Sequence, residues 1–381
     1  MRVTVFGFGG DELARLSADP AWDLKEVLSA IFEQAGSQAQ RARLFHGEVE
    51  LQAGASLQDV GVVDGSQLTL VLLPPLYVVS SSEDCTAKIW STATGECLRT
   101  LRGHEDAVSS VAFSPHGREL ITSSWDRTAK LWSVASGDCL RTFHGHEDRI
   151  ISAGFSPDGQ ELLTAAMDGE AKVWSVASGE CLQTLRGGER GICYATFSAD
   201  GQEVLTACRD GTVKRWGVAS GDCLRTHRVQ EAIGLSATCS PDGQELLTAF
   251  DCAAKLWNVA SGDCLRTLHG HQALVLRAVF SPDGRELLTA SLDSTAKLWS
   301  AASGDCLHTL EGHEEAVQAL AFSPDARELL TASVDRCVKL WNAASGECLQ
   351  TFRGHTSGVF SVAFALDTAG LLDLPSGPGS P

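Results

Sequence analysis

Several features that would assign a chemistry are missing from this 381-residue chain. The opening stretch MRVTVFGFGGDELARL has no basic segment followed by an apolar core, and no apolar run reaches the roughly 20 residues that cross a bilayer. Neither secretion nor membrane anchoring is therefore expected. Basic residues are scarce throughout, with 5 Lys and Arg against 10 Asp and Glu in residues 1–75, and 25 against 38 in the remainder. The resulting net charge of −18 repels phosphate backbones and argues against nucleic acid as a partner. What is present is core-forming material. Apolar residues make up 44% of the chain and charged residues only 20%, enough for two or three domains or one large repeat array.

No C-x-x-C pair occurs among the 13 cysteines. Seven of them (Cys97, Cys139, Cys181, Cys223, Cys264, Cys306 and Cys348) stand in GECL or GDCL at steps of 42 residues, once 41. They are copies of one repeat position, held too far apart to bond, since a disulfide needs Cα atoms within about 7 Å. Reduced thiols in the cytosol or nucleus are expected.

The repeat governs the chain after residue 76. Alignment on K-x-W gives Trp90, Trp132, Trp174, Trp216, Trp257, Trp299 and Trp341, each six residues after an Asp: Asp84, Asp126, Asp168, Asp210, Asp251, Asp293 and Asp335. One period reads as four short β-forming runs separated by turn formers, Ser-Pro-x-Gly, the Asp turn and Ala-Ser-Gly-Asp. The pattern predicts a four-stranded antiparallel meander. A single such sheet cannot cover its two apolar faces, so copies must stack, and sheet twist bends the stack into a ring.

Gly-His opens the repeat at 103–104, 145–146, 270–271, 312–313 and 354–355. With the K-x-W and Asp positions, these residues resemble the WD-repeat family of β-propellers over roughly three quarters of the chain. The usual Asp after Trp is replaced by Ser, Asn or Gly. The first Trp unit, LYVVSSSEDCTAKIW, lacks Gly-His and an innermost strand, whereas the last stretch, RGHTSGVFSVAF, supplies both and then stops. If residues 359–364 pair with 76–82, seven blades are complete and the termini clasp the ring, leaving no unpaired edge.

In each regular repeat a His, a Thr four residues before the Asp, and that Asp are predicted to converge in the manner of a hydrolase triad. A nucleophile site is built once, however, and this set recurs. The resemblance implies a structural network running Trp to Ser/Thr to His to Asp. The complete sets are His104/Thr122/Asp126/Trp132, His146/Thr164/Asp168/Trp174, His271/Thr289/Asp293/Trp299 and His313/Thr331/Asp335/Trp341. The clasp implies a fifth, His355 with Ser80, Asp84 and Trp90. Gly188 and Gln230 replace the His in the units of Trp216 and Trp257, and one residue is missing before Asp251. Both units are expected to lose the network, and residues 187–257 to be the least protected sector. The runs His144 to His146 and His269 to His271 are not expected to bind metal, because their second His already has a structural role. No catalytic residue, metal or cofactor is expected.

The first 73 residues do not share the period. Gly7 and Gly9 fit a dinucleotide fingerprint, but Glu12 occupies the third glycine position and no parallel αβ alternation follows. A hairpin, a helix with apolar Leu24, Val27, Leu28 and Ile31, then RLFHGEVEL and DVGVVDGSQLTLVL resemble a ubiquitin-like β-grasp domain. The resemblance places a recognition patch on Phe8, Leu44 and Val71, with burial in the core as the competing fate of strand residues. The chain continues through Pro74 and Pro75 without a Gly-Gly tail, and Lys25 is the only lysine in the domain, so conjugation is not expected. The two prolines predict a stiff joint, and residues 366–381 a disordered Pro/Gly/Ser-rich tail.

The expected architecture is therefore mainly β: a ubiquitin-like α+β domain at 1–73, a seven-bladed propeller at 76–365 closed by N- and C-terminal strands, and a tail. WD-repeat proteins commonly receive partners on the rim built by the residue before the Asp and the start of the innermost strand. Here the first set is Glu83, Trp125, Met167, Arg209, Phe250, Leu292 and Val334, and the second is Ser109, Ile151, Cys193, Leu235, Leu276, Gln318 and Phe360. Their apolar members are either interface anchors or part of the channel wall. The expected function is a cytoplasmic or nuclear, non-catalytic scaffold, monomeric within larger assemblies, that binds protein or peptide partners. Ubiquitin–proteasome traffic is the first expectation and ribosome assembly the alternative.

Overall fold

The computed structural model describes residues 1–7, 9–35, 42–51, 55–72, 76–188, 191–208, 210–228 and 236–366. Expectations for the Pro74–Pro75 joint and for the tail beyond residue 366 fall outside them. The chain divides into two compact units, Met1–Leu76 with Thr92–Thr94, and Tyr77–Ser91 with Gly95–Pro381.

In the first unit, β1 (Arg2–Gly7) and β2 (Glu12–Ser17) form a hairpin, followed by α1 (Leu24–Ala35), β3 (Ala42–His46), β4 (Val49–Glu50) and β5 (Gln67–Leu72). The sheet order is β2-β1-β5-β3-β4, with β1 and β5 parallel at the centre and the outer pairs antiparallel. The helix starts where a reciprocal capping box satisfies two orphan amides: the Glu26 amide donates to Asp23 Oδ1 and the Asp23 amide donates to Glu26 Oε2, both at 2.9 Å. Its apolar stripe delivers Val27 and Ile31 to a core with Val3, Val5, Leu16, Leu57, Leu68 and Leu70. Leu44 also lies in that core and is fully buried. It is thus a packing residue, correcting its assignment to a surface patch. Side chains on β3 alternate, and Leu44 pairs with Leu70 on the inward face of the sheet. Val71 is half-buried, and Phe8 falls outside the described residues.

In the second unit, seven sheets each contain four strands among the described residues, six of them in sequential antiparallel order. The seventh is assembled from both ends of the repeat region. The strand Val359–Leu366 lies beside β6 (Leu76–Ser82), which continues into β7 (Thr86–Ser91) and β8 (Cys97–Arg102). Further bonds tie the two ends together. The Glu83 amide donates to the Gly358 carbonyl at 3.0 Å, and the Thr356 amide donates to Asp84 Oδ2 at 3.0 Å.

Burial explains why the sheets come together. Each Trp packs in a cluster with the facing side of the preceding sheet. Trp132 lies among Val79, Ile89 and Leu101, Trp174 among Ile121, Leu131 and Phe143, and Trp341 among Leu288, Leu298 and Leu310. There are seven such clusters. The last places Trp90 and Val78, from the start of the repeat region, against Leu330, Leu340 and Phe352 from its end. Innermost strands accordingly adjoin one another in cyclic order, with Val359–Leu366 next to both Val317–Phe322 and Val108–Phe113.

Polar stitches on the outer side also cross from sheet to sheet. Arg141 donates to the Ser178 and Ala177 carbonyls at 2.5 and 3.0 Å, Gln183 to the Ala219 carbonyl at 3.4 Å, and Arg266 to the Ser303 carbonyl at 3.3 Å. Arg99 reaches the Ala135 and Ser136 carbonyls in the same way. Arg225, at the corresponding position, makes no such bond among the described residues. Among the described residues, the inner strand of the following sheet spans Ala237–Cys239. Native-state hydrogen exchange is therefore expected to find residues 187–257 at least tenfold less protected than the equivalent strands of 262–342. Uniform protection would contradict this.

Candidate protein-interaction site

The rim rests on turns that are fixed from beneath. In the sheet of Trp132, Trp132 Nε1 donates to Thr122 Oγ1 at 2.8 Å, Thr122 Oγ1 meets His104 Nε2 at 2.7 Å, and His104 Nδ1 meets Asp126 Oδ2 at 2.7 Å. One proton arrangement satisfies every atom: Thr donates to Nε2, and Nδ1–H donates to the carboxylate. The sets of His146, His271 and His313 repeat this geometry with His-to-Thr and His-to-Asp distances of 2.7 to 2.8 Å. The fifth set joins the two ends. Trp90 Nε1 donates to Ser80 Oγ, Ser80 Oγ meets His355 Nε2, and His355 Nδ1 meets Asp84 Oδ2, all at 2.8 Å.

These sets are closed to substrate. Ser80, Thr122, Thr164, Thr289 and Thr331 are 0% exposed, and each hydroxyl is already engaged by a Trp and a His. The sets order the preceding turn instead, because the same carboxylate that holds the His also accepts the amide of the next residue, as with Glu105 at 3.1 Å. The glycine of each Gly-His pair is fixed by conformation and contact together. Gly103 and Gly354 have φ of 152° and 155°, and a Cβ there would stand 3.2 and 3.1 Å from the rings of Trp132 and Trp90.

The sheets of Trp216 and Trp257 keep half of the network, contrary to the expectation that both lose it. Trp216 still donates to Thr206 at 2.9 Å and Trp257 to Thr248 at 2.8 Å. Those bonds lie within one sheet and need no His. At Gly188 the missing imidazole's neighbourhood holds Cys208, whose Sγ is 3.3 Å from where a Cβ on Gly188 would stand. Burial, reinforced by Asp210, pushes the Cys208 thiol up to about 12, so it is inert at neutral pH.

Above these supports the structure brings part of the expected rim together. Trp125 and Phe360 come from neighbouring sheets and stack with ring centroids 5.5 Å apart and planes at 28°, while the Arg149 guanidinium lies 4.6 Å from the Trp125 ring centre. Trp125, Met167, Val334, Ile151, Leu276 and Phe360 are half-buried, and Leu292 is 48% exposed. Ile151 and Phe360 line the cavity enclosed by the inner strands, so both fates anticipated for rim residues occur. Cys193 and Ser109 are buried, Arg209 and Leu235 fall outside the described residues, and so does the side chain of Phe250.

Sequence reasoning missed a second apolar feature. Leu140, Leu182, Leu224, Leu265, Leu307 and Leu349 are exposed, one on each of six outer strands, while Leu98 on the seventh is half-buried. The signal was the Leu that follows Cys in every GECL or GDCL. The thirteen cysteines are free thiols, and Cys97 donates to the Arg99 carbonyl of its own strand at 3.2 Å. No group of three or more His, Cys, Asp or Glu able to hold a metal occurs among the described residues. No helix there is long and apolar enough to cross a membrane.

The network carboxyls are strongly shifted. Burial alone would raise Asp293 and Asp335, but hydrogen bonds from Thr295, the Gln272 amide and His271 on one, and from His313 and the Cys337 and Glu314 amides on the other, outweigh it and hold both down at about 2. Asp84, Asp126 and Asp168 are lowered by the same balance. Burial lowers His271 against the pull of Asp293, which leaves the imidazole neutral. The stability these carboxylates contribute is complete above their unfolded value of 3.8 and is lost as pH falls toward 2. The contribution of His271 is complete above 6.5 and declines below it. The double variant Asp293→Asn/Asp335→Asn is expected to be less stable than the parent by about 1–3 kcal/mol at pH 6. In thermal melts that gap should close as pH approaches 2, and a gap independent of pH would refute the assignment.

A family model described as "WD domain, G-beta repeat" matches residues 95–133, 137–175, 179–217, 262–300, 304–342 and 346–372, more than half of the chain. The unmatched interval 218–261 holds the repeat that has Gln230 for His and lacks one residue. Among curated proteins, the chain is 44% identical over 46 residues to Nuclear distribution protein PAC1 of Mycosarcoma maydis, covering 12% of this chain and 10% of that protein. It is 42% identical over 55 residues to a Lissencephaly-1 homolog of Caenorhabditis briggsae, covering 14% of each. It is 49% identical over 39 residues to the probable E3 ubiquitin ligase complex SCF subunit sconB of Aspergillus niger, covering 10% of this chain and 6% of that protein. Each match thus spans a small fraction of the relative's length. The repeats, the sheets they build and the family match together establish that this chain belongs to the WD40 repeat family.

Proposed function

We propose that the protein is a non-catalytic interaction scaffold built on a seven-bladed propeller whose two ends share one blade. The observation that carries this reading is the rim. Apolar side chains stand above buried, fully engaged polar sets, among them the Trp125–Phe360 stack and, at the position equivalent to Trp125 in another sheet, the exposed Leu292. Aromatic and aliphatic anchors of this kind suit protein or peptide partners. The relatives named as Lissencephaly-1, PAC1 and an SCF ubiquitin ligase subunit favour protein partners as well. In this reading the protein acts in the cytoplasm or nucleus, as a monomer within larger assemblies, without nucleic acid or membrane contact.

The N-terminal unit is, on the same proposal, a ubiquitin-like β-grasp domain that docks a second factor. Its mixed sheet order, with a single helix following the first hairpin, supports this. With Leu44 in the core, its docking face must use other residues, and Val71 and the exposed Leu72 and Val49 are available. Traffic in the ubiquitin–proteasome system follows from that domain and from the ligase-subunit relative. A ribosome-assembly role, suggested by the combination of domains, is disfavoured by the net charge of −18.

The double variant Trp125→Ser/Leu292→Ser should keep its thermal midpoint within a few degrees and lose at least tenfold in affinity for partners recovered by crosslinking and mass spectrometry. Undiminished capture would reject the rim as the binding face. Recovery of ligase or proteasome subunits supports the ubiquitin reading, and recovery of pre-ribosomal proteins the alternative.

A further inference from the structure

The inner segments of the second unit enclose a cavity of about 500 Å³, lined by residues from every sheet, a size typical of small-ligand sites. At the third position of each inner segment the repeats diverge. Ser110, Ser152, Ser236 and Ser361 occupy four of them, Tyr194 the fifth and Arg277 the sixth, leaving Ala319 as the only member without a polar side chain.

Among the described residues, Arg277 is the one charged side chain on the cavity wall. It is half-buried, and its guanidinium makes no hydrogen bond or ion pair among the described residues. Burial lowers its pKa from the ordinary arginine value, and the groups acting in the opposite direction are Tyr194 and Cys193, with no carboxylate among them. A half-buried cation with no counter-ion among the described residues is unsatisfied, and a ligand that supplies a negative charge would complete it. Neighbouring polar atoms are also unspent. The Tyr194 hydroxyl has no partner among the described residues. Ser110 Oγ and Ser361 Oγ accept long 3.4 Å bonds from the Ala153 and Val111 amides, so their own protons remain available.

The charge balance selects the ligand. A single guanidinium in a chain of net charge −18 suits one negative charge rather than a polyanion. A planar fork matches a carboxylate bidentately. The cavity walls also include the half-buried Ile151, Phe155 and Phe360, which suit an apolar flank. We propose that this cavity is a receptor site for a carboxylate group carried on an apolar stem, held by Arg277 and oriented by Tyr194 and the serine hydroxyls. The site shares Ile151 and Phe360 with the rim, but its polar groups lie apart from the rim positions, and it goes beyond the scaffold reading. A small organic acid and an acidic side chain of a bound peptide share the required chemistry.

Ligand-observed NMR on the full chain tests this with 3-phenylpropanoate and its neutral amide, with the capped peptides acetyl-Ala-Glu-Ala-amide and acetyl-Ala-Gln-Ala-amide, and with inorganic phosphate. A carboxylate should bind and its neutral counterpart should not. Binding of the acid alone identifies a small molecule as the source, and binding of the glutamate peptide identifies a protein segment. Arg277→Met should reduce carboxylate binding at least tenfold without lowering the thermal midpoint, since no structural bond is removed, and Tyr194→Phe should reduce it several-fold. Equal binding of the amides, unchanged binding by Arg277→Met, unfolding of that variant, tighter binding of phosphate, or no binding of either carboxylate would each overturn the proposal.

Discussion

Burial between consecutive sheets is the interaction on which the rest of the second unit depends. A four-stranded sheet presents two apolar faces, and each is covered only by a neighbour. Seven sheets among the described residues meet across seven clusters. An open stack of seven would have six. The seventh cluster exists because Trp90 and Val78 meet Leu330 and Phe352, which requires the first and last strands of the repeat region to share a sheet. Once that contact forms, no sheet face is left bare, and the termini of the repeat region are bound into the core instead of fraying.

The polar networks follow from this packing rather than driving it. Each indole is placed by the apolar cluster, and its N–H then requires an acceptor, which the Thr or Ser of the same sheet supplies. The His and Asp extend that requirement to the surface, where they fix a turn. Because the supports are repeated while the residues they present are not, the constant part of each repeat carries stability and the variable part is where the proposed recognition lies. Trp125, Met167, Leu292 and Val334 vary at one position above the networks, and Tyr194 and Arg277 vary at another within the cavity.

Much of this was legible in the sequence. The spacing of Trp, Asp and Gly-His revealed the period, and the missing inner strand at one end with a surplus strand at the other revealed their pairing. Less legible was anything set by a contact between elements. Leu44 stands on a five-residue strand, where a shift of one position exchanges core for surface and no local pattern decides the register. The Trp216–Thr206 and Trp257–Thr248 bonds survive the loss of His because the indole needs only the hydroxyl, a dependence that the His pattern does not show. The stitches from Arg141 and Gln183 join different repeats, and alignment within one repeat does not show them. Nothing in the repeat pattern distinguishes Arg277, whose place on the cavity wall without a partner among the described residues is set by contacts between repeats.

The shared sheet is most directly tested by truncation. A chain ending at residue 366 keeps the strand Val359–Leu366 with His355, and a chain ending at residue 354 removes both. Calorimetry is expected to show the unfolding transition of the second unit at an unchanged midpoint for the first truncation, and its loss or a fall of more than ten degrees for the second. A chain ending at 354 that melts like the full protein would show that closure by its own last strand does not hold the fold together.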